Sequence, residues 1–293
     1  MKKTKGTNAS IFELNGIPQL SKALPLALQH VVAMIVGCVT PAIIVAGVAE
    51  LEGTNRVMLI QSALVVSALS TFLQLFPIGS KKGFRLGAGL PVIMGTSFAY
   101  VASMQAIAAD VGIAAIFGAQ IIGGIIAMII GFFIDKIRKV FPPLVTGTVV
   151  FTIGLSLYPT AVNYMAGGAS SANYGHWTNW LVAIITLAIV TFLNHFTKGF
   201  VKLASILIGI ICGYIIAACF GMVDLTAVAQ ASVFQMPQIM HFGIQFDPSS
   251  CIAIGLLFAI NAIQAIGDFT ATTTGGMDRE PTDKELKGAI VGY

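Results

Sequence analysis

The sequence contains little charge. Asp, Glu, Lys and Arg make up 10% of its 293 residues, against roughly 25% in an average soluble domain. Apolar residues make up 56%, and the mean hydropathy is +0.89. A soluble protein of this length could not cover its surface with so few charges, so the composition excludes a soluble enzyme. The net charge of +4 is too small to indicate a nucleic-acid partner.

Cysteines are few and do not form a metal-ligand pattern. Buried thiols in apolar runs are ordinary small hydrophobic side chains. All four cysteines lie within or at the edge of such runs, and none are paired at CxxC spacing: Cys38, Cys212, Cys219 and Cys251. The sequence therefore excludes a disulfide scaffold and predicts neither a metal site nor another cofactor. It also shows no nucleophile–base pair within the apolar runs, so we do not expect an enzyme.

What the chain has in abundance is long apolar runs. A membrane helix needs about 20 mostly apolar residues. Windows of that length predict a ninth span that begins at Gly288. They predict eight complete spans before it, at 26–49, 57–76, 86–109, 111–134, 144–165, 180–196, 201–223 and 251–274. The polar N-terminal residues do not resemble a secretory signal. We therefore expect an all-α membrane protein.

Basic residues lie on alternate loops. All of the 16 Lys and Arg residues except Arg56 lie in segments that would be on the same side of the membrane. These segments are the one before span one, the one after span eight, and the loops between spans two and three, four and five, and six and seven. Loops rich in Lys and Arg remain on the cytoplasmic side of the membrane. The sequence therefore predicts a multi-pass protein of the inner (plasma) membrane with a cytoplasmic N-terminus.

Glycine and proline are concentrated in the third span. Gly83, Gly87, Gly89, Pro91 and Gly95 fall within thirteen positions, and both residue types weaken helices. Non-helical backbone at membrane depth is tolerated where it is buried in protein or lines a cavity. Broken spans of this kind mark substrate sites in transporters. We expect a broken third span; the alternative is close helix packing through small residues.

Polar side chains inside spans are costly and therefore informative. Gln29 and His30 on span one could serve a site or form a pair that fixes helix packing. On span eight, Asn261, Gln264 and Asp268 are spaced i, i+3, i+7 and share one helical face. That face must point into protein or a water-filled cavity. Asp268 is a candidate ion or proton site; the alternative is that it caps a broken helix end.

Five segments, in order from span one to the chain end, carry motifs that can be compared with known families. They are residues 28–30 (Leu-Gln-His), 95–100 (Gly-Thr-Ser-Phe-Ala-Tyr), 141–157 (from Phe-Pro-Pro-Leu to Gly-Leu-Ser-Leu), 266–271 (Ile-Gly-Asp-Phe-Thr-Ala) and 285–288 (Glu-Leu-Lys-Gly). Together they resemble the nucleobase–ascorbate transporter family, the xanthine/uracil permeases. Residues 158–168 look more like its purine branch, for xanthine or urate, than its uracil branch.

The resemblance implies fourteen spans in two inverted seven-span repeats, with spans three and ten broken. Spans 1–4 and 8–11 would form a core domain, and spans 5–7 and 12–14 a gate domain. We then expect this chain to be truncated after about eight spans and unable to transport alone. Its parts would be a cytoplasmic tail (1–22), core spans (23–140), gate spans (141–223), and an outer loop with span eight and the start of span nine (224–293).

The resemblance also implies a function. A member of this family is a secondary transporter that imports a nucleobase with a cation, here H⁺ rather than Na⁺, as the core moves against the gate. The protein would be embedded in membrane lipid. The resemblance is also compatible with a homodimer. Asp268 would couple the ion, and the substrate would be bound by Gln264, Phe98, Ser97, His30 and Gln29.

Two positions depart from the family pattern. Many members have a glutamate where this chain has Gln264, and some purine members have an acid where it has Tyr293. Without these acids, Asp268 or His30 would have to carry the proton, or the coupling ion differs. A uracil permease of the same family, a solute or anion carrier of the same architecture, and a membrane receptor or scaffold remain open. A basic residue at the site would favour an anion carrier.

Overall fold

A computed structural model describes residues 16, 19–79, 85–133, 143–168, 171, 173–223, 236, 238 and 240–292. Apolar helices dominate this part of the chain. The elements, in chain order, are α1 (Leu20–Val48), α2 (Gly53–Leu75), β1 (Ile78–Gly79), β2 (Arg85–Leu86), a 3₁₀ turn (Phe98–Tyr100), α3 (Val101–Asp110), α4 (Ile113–Phe132), α5 (Pro143–Ser156), α6 (Tyr158–Met165), α7 (Trp177–Phe196), α8 (Phe200–Leu203), α9 (Ser205–Cys219), α10 (Pro248–Met277) and α11 (Asp283–Val291).

The chain forms two compact units. The first comprises residues 1–23, 38–153 and 237–293, and the second comprises 24–37 and 154–236. Each unit is therefore built from segments that are distant in sequence, and α1 contributes to both.

Several helices are suited to a bilayer. Among the described residues, four helices are long and apolar enough to cross a membrane: α2, α4, α7 and α10. Large apolar side chains point away from the protein along them, and Phe72, Phe192 and Phe196 are 63%, 58% and 71% exposed. Exposed apolar surface on this scale is stable against lipid and not against water. The chain is therefore a membrane-embedded, mostly helical protein.

In the first unit, α4 and α10 approach closely because glycines on α4 leave room. A Cβ atom at Gly118 would collide with the carbonyl oxygen of Gln245, and one at Gly123 would collide with the ring of Phe258. The Gln245 N–H also donates to the carbonyl oxygen of Ala114 (3.0 Å). This contact holds the chain at the entry to α10 against the start of α4.

The third span is not a single helix. After the antiparallel pair β1–β2, residues 87–97 have no regular structure, and the chain becomes helical again only at Phe98. Gly87 and Gly89 have φ angles of +95° and +71°, which only glycine adopts readily. The predicted span 86–109 therefore contains helix only in its second half.

Neighbouring helices satisfy the backbone of this extended segment. The Met94 N–H donates to Thr71 Oγ1 on α2 (2.9 Å). The Thr96 hydroxyl donates to the carbonyl oxygen of Cys38 on α1 (2.8 Å). Buried backbone must find hydrogen-bond partners, so the bond from Met94 to Thr71 substitutes for a missing helical bond. The bond from the Thr96 side chain ties the segment to α1.

Several helices begin or end at other residues than predicted, and the spans predicted at 144–165 and 201–223 are each two helices. Two differences concern α10 and α11. α10 runs without interruption from Pro248 to Met277, so Asp268 lies inside a helix and does not cap a broken end. The ninth helix begins at Asp283 instead of Gly288, because Thr282 and Glu285 form a capping box. A side-chain cap satisfies the free N–H groups of a first turn and fixes where the helix starts.

An ion pair closes the turn between α10 and α11. Arg279 donates to both carboxylate oxygens of Glu285 (2.7 and 2.9 Å), and the Thr282 N–H donates to the same group (2.8 Å). These bonds, chiefly those from Arg279, hold the pKa of Glu285 at about 2, below its usual 4.5. A lowered pKa means that the carboxylate stabilises the fold above its unfolded pKa. That contribution is lost as the pH falls through about 2.

Glu285→Gln should lower the unfolding temperature at neutral pH by about 2–4 °C, because the pair is partly exposed and screened. The difference from the unsubstituted protein should shrink as the pH falls from about 5 to about 2, because Glu285 is increasingly protonated and loses the charge that the glutamine lacks. Thermal unfolding in detergent measures it, and Glu52→Gln, an exposed carboxylate before α2, is the control. A difference that is constant across this pH range would show that the charge plays no part.

In the second unit, α7 and α9 pack through small residues. A Cβ atom at Gly209 would collide with Val190, and one at Gly213 would lie 2.6 Å from the hydroxyl oxygen of Thr186. Asn179 near the start of α7 is 8% exposed. Its amide donates to the carbonyl oxygen of Ala166 (2.9 Å) and so ties α7 to the end of α6.

Candidate functional site

A cavity of about 330 Å³ lies in the first unit among α1, α2, the extended segment, α4 and α10. Pockets for small molecules begin at about 300 Å³ and are mostly apolar with a few placed polar groups. This cavity has that character. Its lining is largely aliphatic and aromatic, and its polar members are Ser62, Ser67, Ser70, Thr96, Ser97, Tyr100, Gln120 and Asn261.

Ser97 and Asn261 meet at the cavity wall. The Ser97 hydroxyl donates to Asn261 Oδ1 (3.3 Å) and accepts from the Ala99 N–H (3.3 Å). Asn261 is 1% exposed, and its Nδ2 has no hydrogen-bond partner among the described residues. A buried amide without a partner costs free energy. Asn261 therefore presents a donor that a carbonyl group in the cavity would satisfy.

Three aromatic side chains line the same cavity, those of Tyr100, Phe117 and Phe258, and two of them pack together. The ring centroids of Tyr100 and Phe258 are 4.9 Å apart, with planes inclined by 43°. Offset and tilted rings of this kind offer apolar faces and edges to a flat ligand. The cavity thus combines a planar apolar surface with hydrogen-bonding groups at one side.

The described lining of the cavity carries no charge. Every described side chain that lines it is uncharged, including those from α2 and α4. A site for an anion normally provides Arg or Lys, and one for a metal ion clusters carboxylates, imidazoles or thiols. No group of three His, Cys, Asp or Glu residues close enough for a metal occurs in the described residues. The lining therefore suits a neutral, flat molecule with hydrogen-bonding edges.

The predicted residues on α10 lie along one side of this helix. Gln264 is half-buried one turn after Asn261, and its Oε1 has no hydrogen-bond partner among the described residues. Asp268, one turn further, is exposed. Phe98 is half-buried beside Ser97. Of these predicted site residues, the cavity lining includes Ser97 but not Phe98, Gln264 or Asp268.

The span-one residues are placed differently. His30 is exposed on α1, in the stretch that belongs to the second unit. The side chain of Gln29 lies outside the described residues. The roles of both therefore remain predictions.

Sequence reasoning assigned no site role to three residues that organise this region. Asn261 stands out on the polar face of span eight, but only the structure places it in the cavity wall beside Ser97. Thr71 and Gln74 on α2 bond to the extended segment of span three. The available signal was the presence of polar side chains inside an apolar span, which indicates a partner without identifying it.

Comparison of the sequence with known proteins places this chain in a family. The model of a permease family, that of the xanthine and uracil permeases, matches residues 21–292. The chain is 37% identical over 251 residues to a xanthine permease of Bacillus subtilis (85% of this chain, 56% of the relative). It is 36% identical over 279 residues to the uric acid permease PucJ of the same organism (93% and 60%).

A third relative is the uric acid transporter UacT of Escherichia coli, at 32% identity over 271 residues (92% of this chain, 55% of the relative). The chain thus spans little more than half the length of these curated relatives. The family match covers nearly all of the chain itself. The chain therefore belongs to the nucleobase–ascorbate transporter (xanthine/uracil permease) family, on the side of its purine permeases, and this is a family of transporters and not of enzymes.

Proposed function

We propose that the protein imports a purine nucleobase such as xanthine or urate across the inner membrane, with its N-terminus in the cytoplasm. The observation that carries this is a cavity with an uncharged described lining that includes Ser97, aromatic rings and Asn261, whose Nδ2 has no hydrogen-bond partner among the described residues. A purine is flat and has carbonyl and N–H groups on its edges, so it complements both the rings and the amide. The names of the relatives point to the same substrates.

Each predicted site residue has a role in this proposal. Ser97 and Phe98 present the extended segment to the base, and Gln264 binds the base edge. A base that occupies the cavity and also reaches toward the next turn of α10 would contact both Asn261 and Gln264. His30 and Gln29 on α1 keep the substrate-binding roles that the family resemblance implies.

Cation coupling forms a second part of the proposal. We propose that Asp268 carries the coupling proton, because a carboxylate on a membrane helix is expensive unless it has a function. The movement would be that of the core, spans 1–4 and 8, against the gate, spans 5–7. Lipid surrounds the protein, and a homodimer is compatible with this arrangement.

The same observations support two alternative functions less well than they support purine import. A uracil permease would use the same family fold, but the named relatives with the stated identities are purine permeases. An anion carrier would require a positive charge at the site, and the described residues that line the cavity carry none. The same property favours xanthine, which is mostly neutral at neutral pH, over urate, which is a monoanion there.

Radiolabelled uptake by cells that express the protein at full length tests this function. We expect saturable uptake of xanthine or urate above vector-only cells, slower uptake of uracil, and loss of accumulation with a protonophore. Absence of uptake for xanthine, urate, guanine and uracil would refute the transporter assignment. Uptake that is insensitive to the protonophore would refute proton coupling alone.

A further inference from the structure

A buried glutamine at the end of α2 joins two segments that are far apart in sequence. Gln74 is completely buried. Its Oε1 accepts from the Ala88 N–H (2.8 Å), and its Nε2 donates to the carbonyl oxygen of Ala289 on α11 (2.9 Å). One amide group thus connects α2 with the extended segment of span three and with the helix that follows α10.

The backbone of Gln74 adds a third bond. The last carbonyl groups of a helix have no partner within it, and the carbonyl oxygen of Gln74 accepts from the Gly89 N–H (2.7 Å). Beside it, the Gly87 N–H donates to the carbonyl oxygen of Gly288 (2.8 Å). The start of the extended segment is therefore fixed on both sides, by α2 and by α11.

The other end of the segment is fixed by the same helix. Thr71 lies three residues before Gln74, so both side chains share one face of α2. Thr71 Oγ1 accepts from the Met94 N–H (2.9 Å) and donates to the carbonyl oxygen of Ser67 (2.8 Å). Ser97 follows Met94 by three residues and carries the bond to Asn261.

We propose that Gln74 is a positioning residue for the substrate site, a role that rests on the proposed function. Residues 87–97 have no helical hydrogen bonds of their own to fix their path. Gln74 sets that path relative to α11, and α11 is joined by a short turn to α10, which carries Asn261 and Gln264. The amide of Gln74 therefore sets the spacing between Ser97 and the polar face of α10.

The chemistry of the position favours an amide. Gln74 donates and accepts at the same time in a fully buried position, which a methionine of similar length cannot do. Loss of both bonds leaves the Ala88 N–H and the Ala289 carbonyl buried without partners, which is costly. The segment should relieve that cost by shifting, and Ser97 would shift with it.

Gln74→Met should raise the KM for xanthine about tenfold, with the maximal rate per transporter in the membrane within about twofold of the unsubstituted protein. Gln61→Met on the same helix is the control, because the Gln61 Oε1 has no hydrogen-bond partner among the described residues. It should leave KM within about twofold. A lower maximal rate with an unchanged KM would indicate a merely structural role and overturn the proposal.

A second measurement does not depend on transport. Ser97→Cys, in a background without the four native cysteines, reports the position of the segment by its rate of maleimide labelling. Gln74→Met should change that rate about fivefold or more, and Gln61→Met should not. An unchanged labelling rate in Gln74→Met protein that is correctly inserted in the membrane overturns the positioning role. If the unsubstituted protein takes up no purine, only the proposed function is refuted.

Thr71→Val covers the case in which Gln74→Met does not fold. It removes the hydroxyl that binds the Met94 N–H and keeps the volume of the side chain. If the extended segment is positioned from α2, this variant should change the labelling rate at Ser97→Cys in the same direction. If Gln74→Met protein does not reach the membrane and Thr71→Val leaves the labelling rate unchanged, the proposal is overturned.

Discussion

Gly87→Ala should leave most of the protein unfolded or degraded. Gly87 has a φ of +95°, where any other residue is strained. A Cβ atom there would also collide with the carbonyl oxygen of Leu73 in α2. Backbone strain and overpacking against backbone each cost about 1–3 kcal/mol. Their sum is a large fraction of the stability of a typical domain.

The measurement is the amount of membrane-inserted protein together with its unfolding temperature in detergent, which should fall by about 10 °C. Gly124→Ala on α4 is the matched control, because no atom lies within 4 Å of its Cβ position and alanine favours helix. It should be neutral or slightly stabilising. Gly87→Ala protein that unfolds at the normal temperature would contradict the close packing of the extended segment on α2.

Gln264→Leu should reduce purine uptake about 10- to 100-fold without lowering the amount of protein in the membrane. The proposed role of Gln264 is to bind an edge of the base, and an unpaired polar group on a buried ligand costs about 1–3 kcal/mol. Gln264→Glu should keep one acceptor but lose the donor. It should therefore alter base preference or proton coupling instead of abolishing uptake.

Thr272→Val is the control for both substitutions. Thr272 lies on the same helix, and its hydroxyl donates to the carbonyl oxygen of Asp268 (2.8 Å), a local bond that no substrate requires. Uptake kinetics for xanthine, urate, guanine and uracil should distinguish the variants. An unchanged substrate profile in Gln264→Leu would remove Gln264 from the site.

Local chemistry made several features of the fold predictable. Apolar runs identified where α2, α4, α7 and α10 lie, because hydrophobic length is a property of sequence alone. The glycines and Pro91 indicated that span three would not be one helix. Boundaries were less predictable. The capping box of Thr282 and Glu285, and the cap that Asp247 provides for Ser250, extend the helices beyond their apolar runs.

Contacts between distant segments could not be predicted in the same way. Gln74 and Ala289 are separated by 215 residues, and nothing local to α2 indicates which backbone groups its amide binds. In sequence, Gln74 looks the same as Gln61, another glutamine within an apolar span. Only the fold distinguishes a glutamine with partners on two sides from one whose oxygen has none among the described residues.

The sequence predicted some residues of the candidate site but not which of them line the cavity. The i, i+3, i+7 spacing correctly grouped Asn261 and Gln264 on one side of α10, and Ser97 was selected through a family resemblance. Which of these residues lines the cavity depends on how α10 is rotated against α4. That rotation is set by the glycine contacts of Gly118 and Gly123, which the sequence does not specify.

Uptake of radiolabelled xanthine, competed with unlabelled purines and uracil, is the most direct test of the proposal that this permease handles a purine through a neutral, hydrogen-bonding cavity. The proposal predicts saturable uptake that unlabelled xanthine abolishes and that uracil inhibits weakly. Uptake indistinguishable from that of vector-only cells, or equal inhibition by uracil, would contradict it.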